Sequence, residues 1–325
     1  TAPGLGRLHK SHDRHSFPIG HLPRSPNEGR MNEALCRALA QPSTPARGSI
    51  SQMKGALSMA SDRSALIIGK AKELGATIAG IASVELLKKS PSHEILGKFG
   101  TKIDGVHSFE GMIEGFDEIK WPAKAKSALV IGVSHPQNEP ELDWTHGSGN
   151  TPGHRILQRI NRELAVWIGE ALGIKTHRMP YWVEKGGIYL KDTAVLGGLG
   201  CIGRNNMLIT PELGPRVRLR GMLLEDELTP TGPITFSPCD GCEEYCRKAC
   251  PQNAFDRIVL SPVETGMHTL PGRDGCFSRA KCHIQMDKDV EDSDMAVDEG
   301  FLSGLDKSGV VTRGISHAEK RIKWC

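Results

Sequence analysis

Apolar residues recur at Leu66, Ile67, Ala71 and Leu74 with polar residues between them, the spacing of one face of a helix. Ser61-Asp62 offers a cap and Gly75 a stop, so the pattern predicts a helix between them. The period then changes. Thr77-Ile78-Ala79-Gly80-Ile81-Ala82 is an apolar run short enough for a buried strand, and Ser127 to Val133 is a second, closed by His135-Pro136. Residues 134 to 153 are rich in Pro, Gly, Asn and acidic side chains, a long polar loop of the kind that lines a site or stays disordered. Helical spacing returns at Ile156, Leu157, Ile160, Leu164, Trp167 and Ile168, with Gly173 as its stop. The strand, loop and helix unit repeats into Ile188-Tyr189-Leu190, and alternation of this kind predicts an α/β sandwich.

Outside that region the pattern fades. Residues 1–58 carry Pro, Ser, Gly, Arg and His with little periodicity and are expected to be a disordered tail or sequence upstream of the true start. After Pro238 the chain is aperiodic and bears cysteines, so a second module is expected, with boundaries at 59–232 and 233–325. The acidic run from Asp287 to Glu299 reads as a solvated loop.

Composition narrows the function classes. A formal charge of +3 is too small to argue for nucleic acid, and no basic stripe interleaved with aromatics stands out. No apolar run approaches the roughly 20 residues of a membrane helix, so no membrane partner is expected. Four of the nine cysteines sit between Cys239 and Cys250, a density that favours metal ligation over disulfides and a reducing, cytoplasmic compartment.

Two motifs carry the chemistry. Gly198-Leu199-Gly200-Cys201-Ile202-Gly203 satisfies the G-x-G-x-x-G fingerprint, and Glu225 lies where a ribose-binding acid would be sought. The dinucleotide context is missing: Pro211 leaves little room for a crossover helix, and no continuous apolar strand leads into Gly198. The glycines either let the backbone approach a flat, bulky ligand or make a tight turn at a domain junction. The second motif is Cys239-x2-Cys242-x3-Cys246-x3-Cys250-Pro251, one residue longer than the usual bacterial iron-sulfur run. The same four thiols could also close around a structural zinc. Cys36 and Cys201 read as plain thiols.

The segment from Asp192 through the glycine loop and Arg204-Asn205 to Leu208-Ile209-Thr210-Pro211-Glu212-Leu213-Gly214, continuing into the cysteine run, resembles the epoxyqueuosine reductases, and through them the reductive dehalogenases. The resemblance reaches upstream through Lys72-Glu73-Leu74-Gly75 and the Ser127 strand, so it covers roughly residues 60 to 325. It implies a nitroreductase-like α/β domain that binds cobalamin and a ferredoxin-like domain with [4Fe-4S] clusters. By position, Gly198, Gly200, Gly203 and Arg204 would sit at the corrin. Cys239, Cys242 and Cys246 would hold one cluster; Cys250 and Cys276 would serve a second, for which Cys282 is a possible substitute ligand. Cys325 stands first in a further motif that the chain as written leaves incomplete, so a truncated C-terminus is expected. An external electron donor of ferredoxin or flavodoxin type and a small-molecule or modified-nucleoside substrate are further implications.

Reduction at carbon also needs a proton donor. The family supplies an aspartate before a helix, and the aligned residues here are Asn150-Thr151-Pro152-Gly153-His154, with Pro152 at the aspartate's position. His154 and Tyr189 are therefore the candidate acids, with Asp143, His146, Tyr181 and Lys185 behind them; Tyr189 reads equally as a strand aromatic. Arg216, Arg218 and Arg220 alternate along an expected strand and would share one face, the best local candidate for an anionic partner. Three readings stay open: an epoxyqueuosine reductase-like enzyme, a reductive dehalogenase-like enzyme acting on small organic halides, and a non-catalytic iron-sulfur electron-transfer protein.

Overall fold

The computed structural model describes residues 50–99, 117–139, 142, 145–146, 151–183, 185–282, 284–285 and 312–313. Helix α1 (Ile50–Glu73) starts eleven residues upstream of the Ser61 cap the sequence offers. The segment Met53-Lys54-Gly55-Ala56-Leu57 is mostly made of good helix formers, so the helix propagates through it. The expected stop holds: Gly75 takes φ +104°. Strand β1 (Ile78–Ser83) follows, then α2 (Val84–Lys88), capped by the Ser83 hydroxyl, and α3 (Pro91–Phe99). Strand β2 (Ser127–Ser134) is buried over seven of its eight residues, which is why it reads as a continuous apolar run.

Beyond the polar loop come β3 (Thr145–His146), α4 (Pro152–Leu172) and β4 (Thr176–Arg178). Pro152 is accounted for structurally as the first residue of α4, where its missing N–H costs nothing, and the Thr151 hydroxyl accepts from the His154 N–H at 3.2 Å. Gly173 closes the helix in the left-handed conformation, φ +66°. Helix α5 (Leu190–Leu196) leads into the glycine loop, followed by the hairpin β5 (Cys201–Ile202) and β6 (Leu208–Ile209), then β7 (Val217–Leu224). Short helices α6 (Tyr245–Lys248) and α7 (Pro262–Thr265) punctuate the cysteine-bearing region, and β8 (Thr312–Arg313) pairs with β3.

The main sheet has order β1-β2-β7-β4 with every neighbour antiparallel, so the fold is mixed α and β around an antiparallel sheet. One expected strand is a helix start instead. Tyr189 caps α5, and its N–H donates to His93 Nε2 rather than to a strand partner. The alternation of β7 sorts the molecule into two layers. Leu129, Ile131, Val133, Met222 and Leu224 pack against Leu157, Ile160, Leu164 and Ile168 of α4. Val130 and Leu219 instead meet Ala194 of α5, and Ala128 and Leu223 pack with Leu196. Arg220 pairs with Ile131 and Arg218 with Val133, so both leave the strand on the α4 side, as their alternation predicted. Among the described residues no helix is long and apolar enough to cross a membrane.

Candidate functional site

The glycine loop lies on the α5 side of the sheet and is held by backbone. Thr231 Oγ1 donates to the Gly197 carbonyl at 2.6 Å. Gly198 has φ +74°, and a Cβ there would come within 2.5 Å of the Thr231 carbonyl oxygen; Gly200 has φ +154°, and a Cβ would collide with the Ile209 carbonyl. The missing side chains are thus used by the chain's own close packing. Gly203 sits in the β5–β6 turn, donating to the Met207 carbonyl at 2.8 Å and accepting from the Asn206 N–H.

Arg204 joins this loop to the cysteine region. Its N–H donates to Cys239 Sγ at 3.4 Å, its Nη1 reaches Glu244 at 2.6 Å, and its carbonyl accepts from Arg247 Nε at 2.7 Å. Arg247 also grips both oxygens of Asp274 at 2.9 and 2.6 Å and lies over the Phe255 ring. Arg273 spans Ser237, Asp240 and the Ile202 carbonyl. Guanidinium forks of this kind fix orientation as well as distance. They make the loop and the cysteine region one junction.

The thiols occupy varied surroundings. Cys242 is exposed, Cys246 is buried on α6, and Cys250 is buried with its Sγ accepting the Ala254 N–H at 3.4 Å. Cys250 and Cys282 share an apolar cluster with Phe255 and Phe277. Cys276 is half-buried, and burial followed by the Asp274 carboxylate pushes its thiol up. Burial pushes Cys201 up to about 11 against the pull of Arg273. Cys325 and Asp143 lie outside the described residues, and His146 falls in β3. The soft donors and their N–H···S bonds suit an iron-sulfur ligand set in chemistry. Among the described residues no three His, Cys, Asp or Glu side chains gather as a metal site.

A second polar constellation occupies the α4 face. The His154 ring stands edge-on to Tyr181 with centroids 4.3 Å apart, and Arg220 Nη1 is 3.1 Å from His154 Nε2. His154 is 3% exposed. Burial, then Arg220 and Arg218, push its pKa down to about 4, so the ring is neutral at pH 7. The two candidate acids are not brought together. Tyr189 lies on the other side of the sheet, packed with Leu260, Met267 and Leu270 of the cysteine region and edge-on to His93 at 4.8 Å. Lys185 pairs through its backbone with Asp117.

A buried network around Asp192 was not legible in the sequence, because its partners lie about a hundred residues away. Asp192 Oδ2 accepts from the Ser90 hydroxyl at 2.8 Å and the Ser92 N–H at 3.0 Å, and Oδ1 accepts from the Ser92 hydroxyl at 2.9 Å. Since Tyr189 N–H donates to His93 Nε2, the proton of that ring is on Nδ1 and donates to Ser90 Oγ at 2.8 Å. This network fastens the start of α3 to α5, the helix that delivers the glycine loop.

No family model matches the chain. It is 31% identical over 155 residues to the epoxyqueuosine reductase of Gloeobacter violaceus, covering 46% of this chain and 47% of that protein. It is 40% identical over 77 residues to the tetrachloroethene reductive dehalogenase of Desulfitobacterium hafniense, covering 22% of this chain and 14% of that protein. Among solved structures, a selenomethionine-labelled epoxyqueuosine reductase has a similar fold, with a TM-score of 0.50 and 18% identity over 81% of this chain and 65% of that one. The chain spans 37% to 53% of the length of the curated epoxyqueuosine reductases it matches. The chain is a homologue of the epoxyqueuosine reductases and the reductive dehalogenases.

Proposed function

We propose that this chain belongs to a cofactor-dependent reductase of the epoxyqueuosine reductase type, with a corrinoid at the glycine-loop junction and [4Fe-4S] clusters on the cysteines. The observation that carries the reading is the junction itself, where Arg204 is bonded at once to Cys239, Glu244 and Arg247. The cysteine spacing with Pro251, and homologues named as reductases, support it. When bound, clusters and corrinoid would supply single electrons and a strongly reducing cobalt. Cys239, Cys242, Cys246 and Cys250, by their motif, and Cys276, by the family resemblance, are the proposed ligands. Of the two candidate acids, Tyr189 shares its face with the glycine loop and the cysteine region, whereas His154 is across the sheet. The α/β region to 232 and the cysteine region after it are the proposed functional divisions. A cytoplasmic setting, an external ferredoxin- or flavodoxin-type donor and a modified-nucleoside substrate complete the proposal.

Reductive dehalogenation is the second reading, favoured by the 77-residue match at 40% identity. Anaerobic reconstitution with iron, sulfide and hydroxocobalamin tests both. Cluster absorbance and EPR signals with stoichiometric corrinoid uptake are expected; turnover of an epoxide or of an organic halide then separates the two, and clusters without corrinoid binding would overturn the assignment.

A further inference from the structure

On the α4 face two buried donors have no acceptor among the described residues. Arg220 carries no acceptor atom, so at 3.1 Å it must donate to His154 Nε2, which leaves the ring proton on Nδ1. That Nδ1 is buried and has no hydrogen-bond partner among the described residues, and neither does Arg220 Nε. An orphaned buried donor is costly and calls for an explanation.

Among the described residues the charges around this pair are positive. Arg178 faces Met222 across the β4–β7 ladder, which puts it on the same side as Arg220. Among the described residues the cations acting on His154 are Arg220 and Arg218, and the cation acting on Arg220 is Arg178; no carboxylate belongs to either set. His154 is also the third residue of a 21-residue helix, whose positive end adds to the field. Donors without acceptors in a positive field fit one ligand chemistry, an acceptor-only anionic oxygen.

We propose that His154 and Arg220 form a binding site for an oxyanion, a carboxylate or a phosphate, in which Arg220 acts as a positioning residue that holds His154 in the Nδ1–H tautomer and His154 Nδ1–H donates to the bound anion. The site lies across the sheet from the glycine loop and does not depend on the reductase reading. A neutral imidazole is an effective donor to negative oxygen because it brings direction without a second buried charge.

The test uses the full chain with ¹⁵N-labelled histidine, titrated at pH 7 with sodium benzoate and, separately, with inorganic phosphate. Long-range ¹H–¹⁵N spectra are expected to show His154 as the Nδ1–H tautomer and a saturable shift of its Nδ1 with one or both anions; which anion responds identifies the source. Arg220→Met should weaken that affinity about tenfold or more and mix the tautomers, while Lys89→Gln, at an exposed lysine paired with Glu85 outside the site, leaves both unchanged. An Nε2–H tautomer in the unmodified chain, no response to either anion, or equal affinity in Arg220→Met would overturn the proposal. The tautomer is read on the unmodified chain, so a variant that fails to fold does not remove the test. Anion binding without reductive turnover would sink the functional reading and leave this one standing.

Discussion

Replacing Asp192 should loosen the attachment of α3 to α5, and the side chain put in its place should decide by how much. The carboxylate is 4% exposed and accepts three hydrogen bonds. Asp192→Ala leaves the Ser92 N–H and two serine hydroxyls without it. At roughly 1–3 kcal/mol for each buried group left unmade, less what rotating hydroxyls recover, the loss is about 3–5 kcal/mol. Asp192→Asn behaves differently. Its amide oxygen can keep the two bonds made at Oδ2, and its NH2 can donate to Ser92 Oγ, which turns to accept. Only the charge assistance is lost, about 1–2 kcal/mol. Urea unfolding followed by far-UV circular dichroism measures both, with Trp121 fluorescence as a local probe because its ring is 5.4 Å from His93. With an m-value of about 2–3 kcal/mol/M, the alanine midpoint should fall by roughly 1–2.5 M and the asparagine midpoint by about 0.3–1 M. Equal losses in the two variants would refute the hydrogen-bond assignment. An alanine variant as stable as the parent would refute the network's contribution altogether.

Further outcomes follow from the same geometry. His93 is pushed down to about 4, by burial first and with Asp192 opposing, and His154 to the same level. The unfolded chain therefore binds protons that the folded one refuses, so stability should fall as pH drops from about 6.5 to 4 and level off below, by up to about 1.4 kcal/mol per pH unit per histidine; thermal melts of the parent and His93→Gln check this, the variant showing the shallower slope. Gly200→Ala should cost more than about 2 kcal/mol through its collision with the Ile209 carbonyl, while Gly169→Ala, in α4 with open space around it, should gain about 0.5–1 kcal/mol; paired melting temperatures decide. Arg247→Ala removes the Asp274 fork and the bond to the Arg204 carbonyl and should cost about 2–4 kcal/mol, read as faster proteolysis of the region after Pro238.

The elements best read from sequence were those whose burial leaves a local trace. Strand β2 is buried on both faces and so is apolar at nearly every position, and α4 carries its Leu157, Ile160, Leu164 and Ile168 stripe between a cap and a glycine. Tyr189 was ambiguous because a helix cap and a strand centre look alike over three apolar residues, and the deciding bond comes from His93, 96 positions away. The start of α1 was missed because a serine-aspartate pair can cap a helix or simply lie within one. At the candidate sites, the alternating arginines announced their shared face. Nothing local announced that Tyr181 would meet His154 rather than Tyr189, because that choice depends on which side of the sheet each element packs.

The sheet order β1-β2-β7-β4 places β7, the last of its strands in the chain, at its interior. The ribosome must therefore deliver residues through Leu224 before the central ladder can close, and until then the inner edge of β2 is an open template. A nascent or truncated chain ending before Val217 would keep two strands whose natural partner is missing. Such a fragment would pair with another chain, and the same edge would accept β7 supplied as a separate peptide.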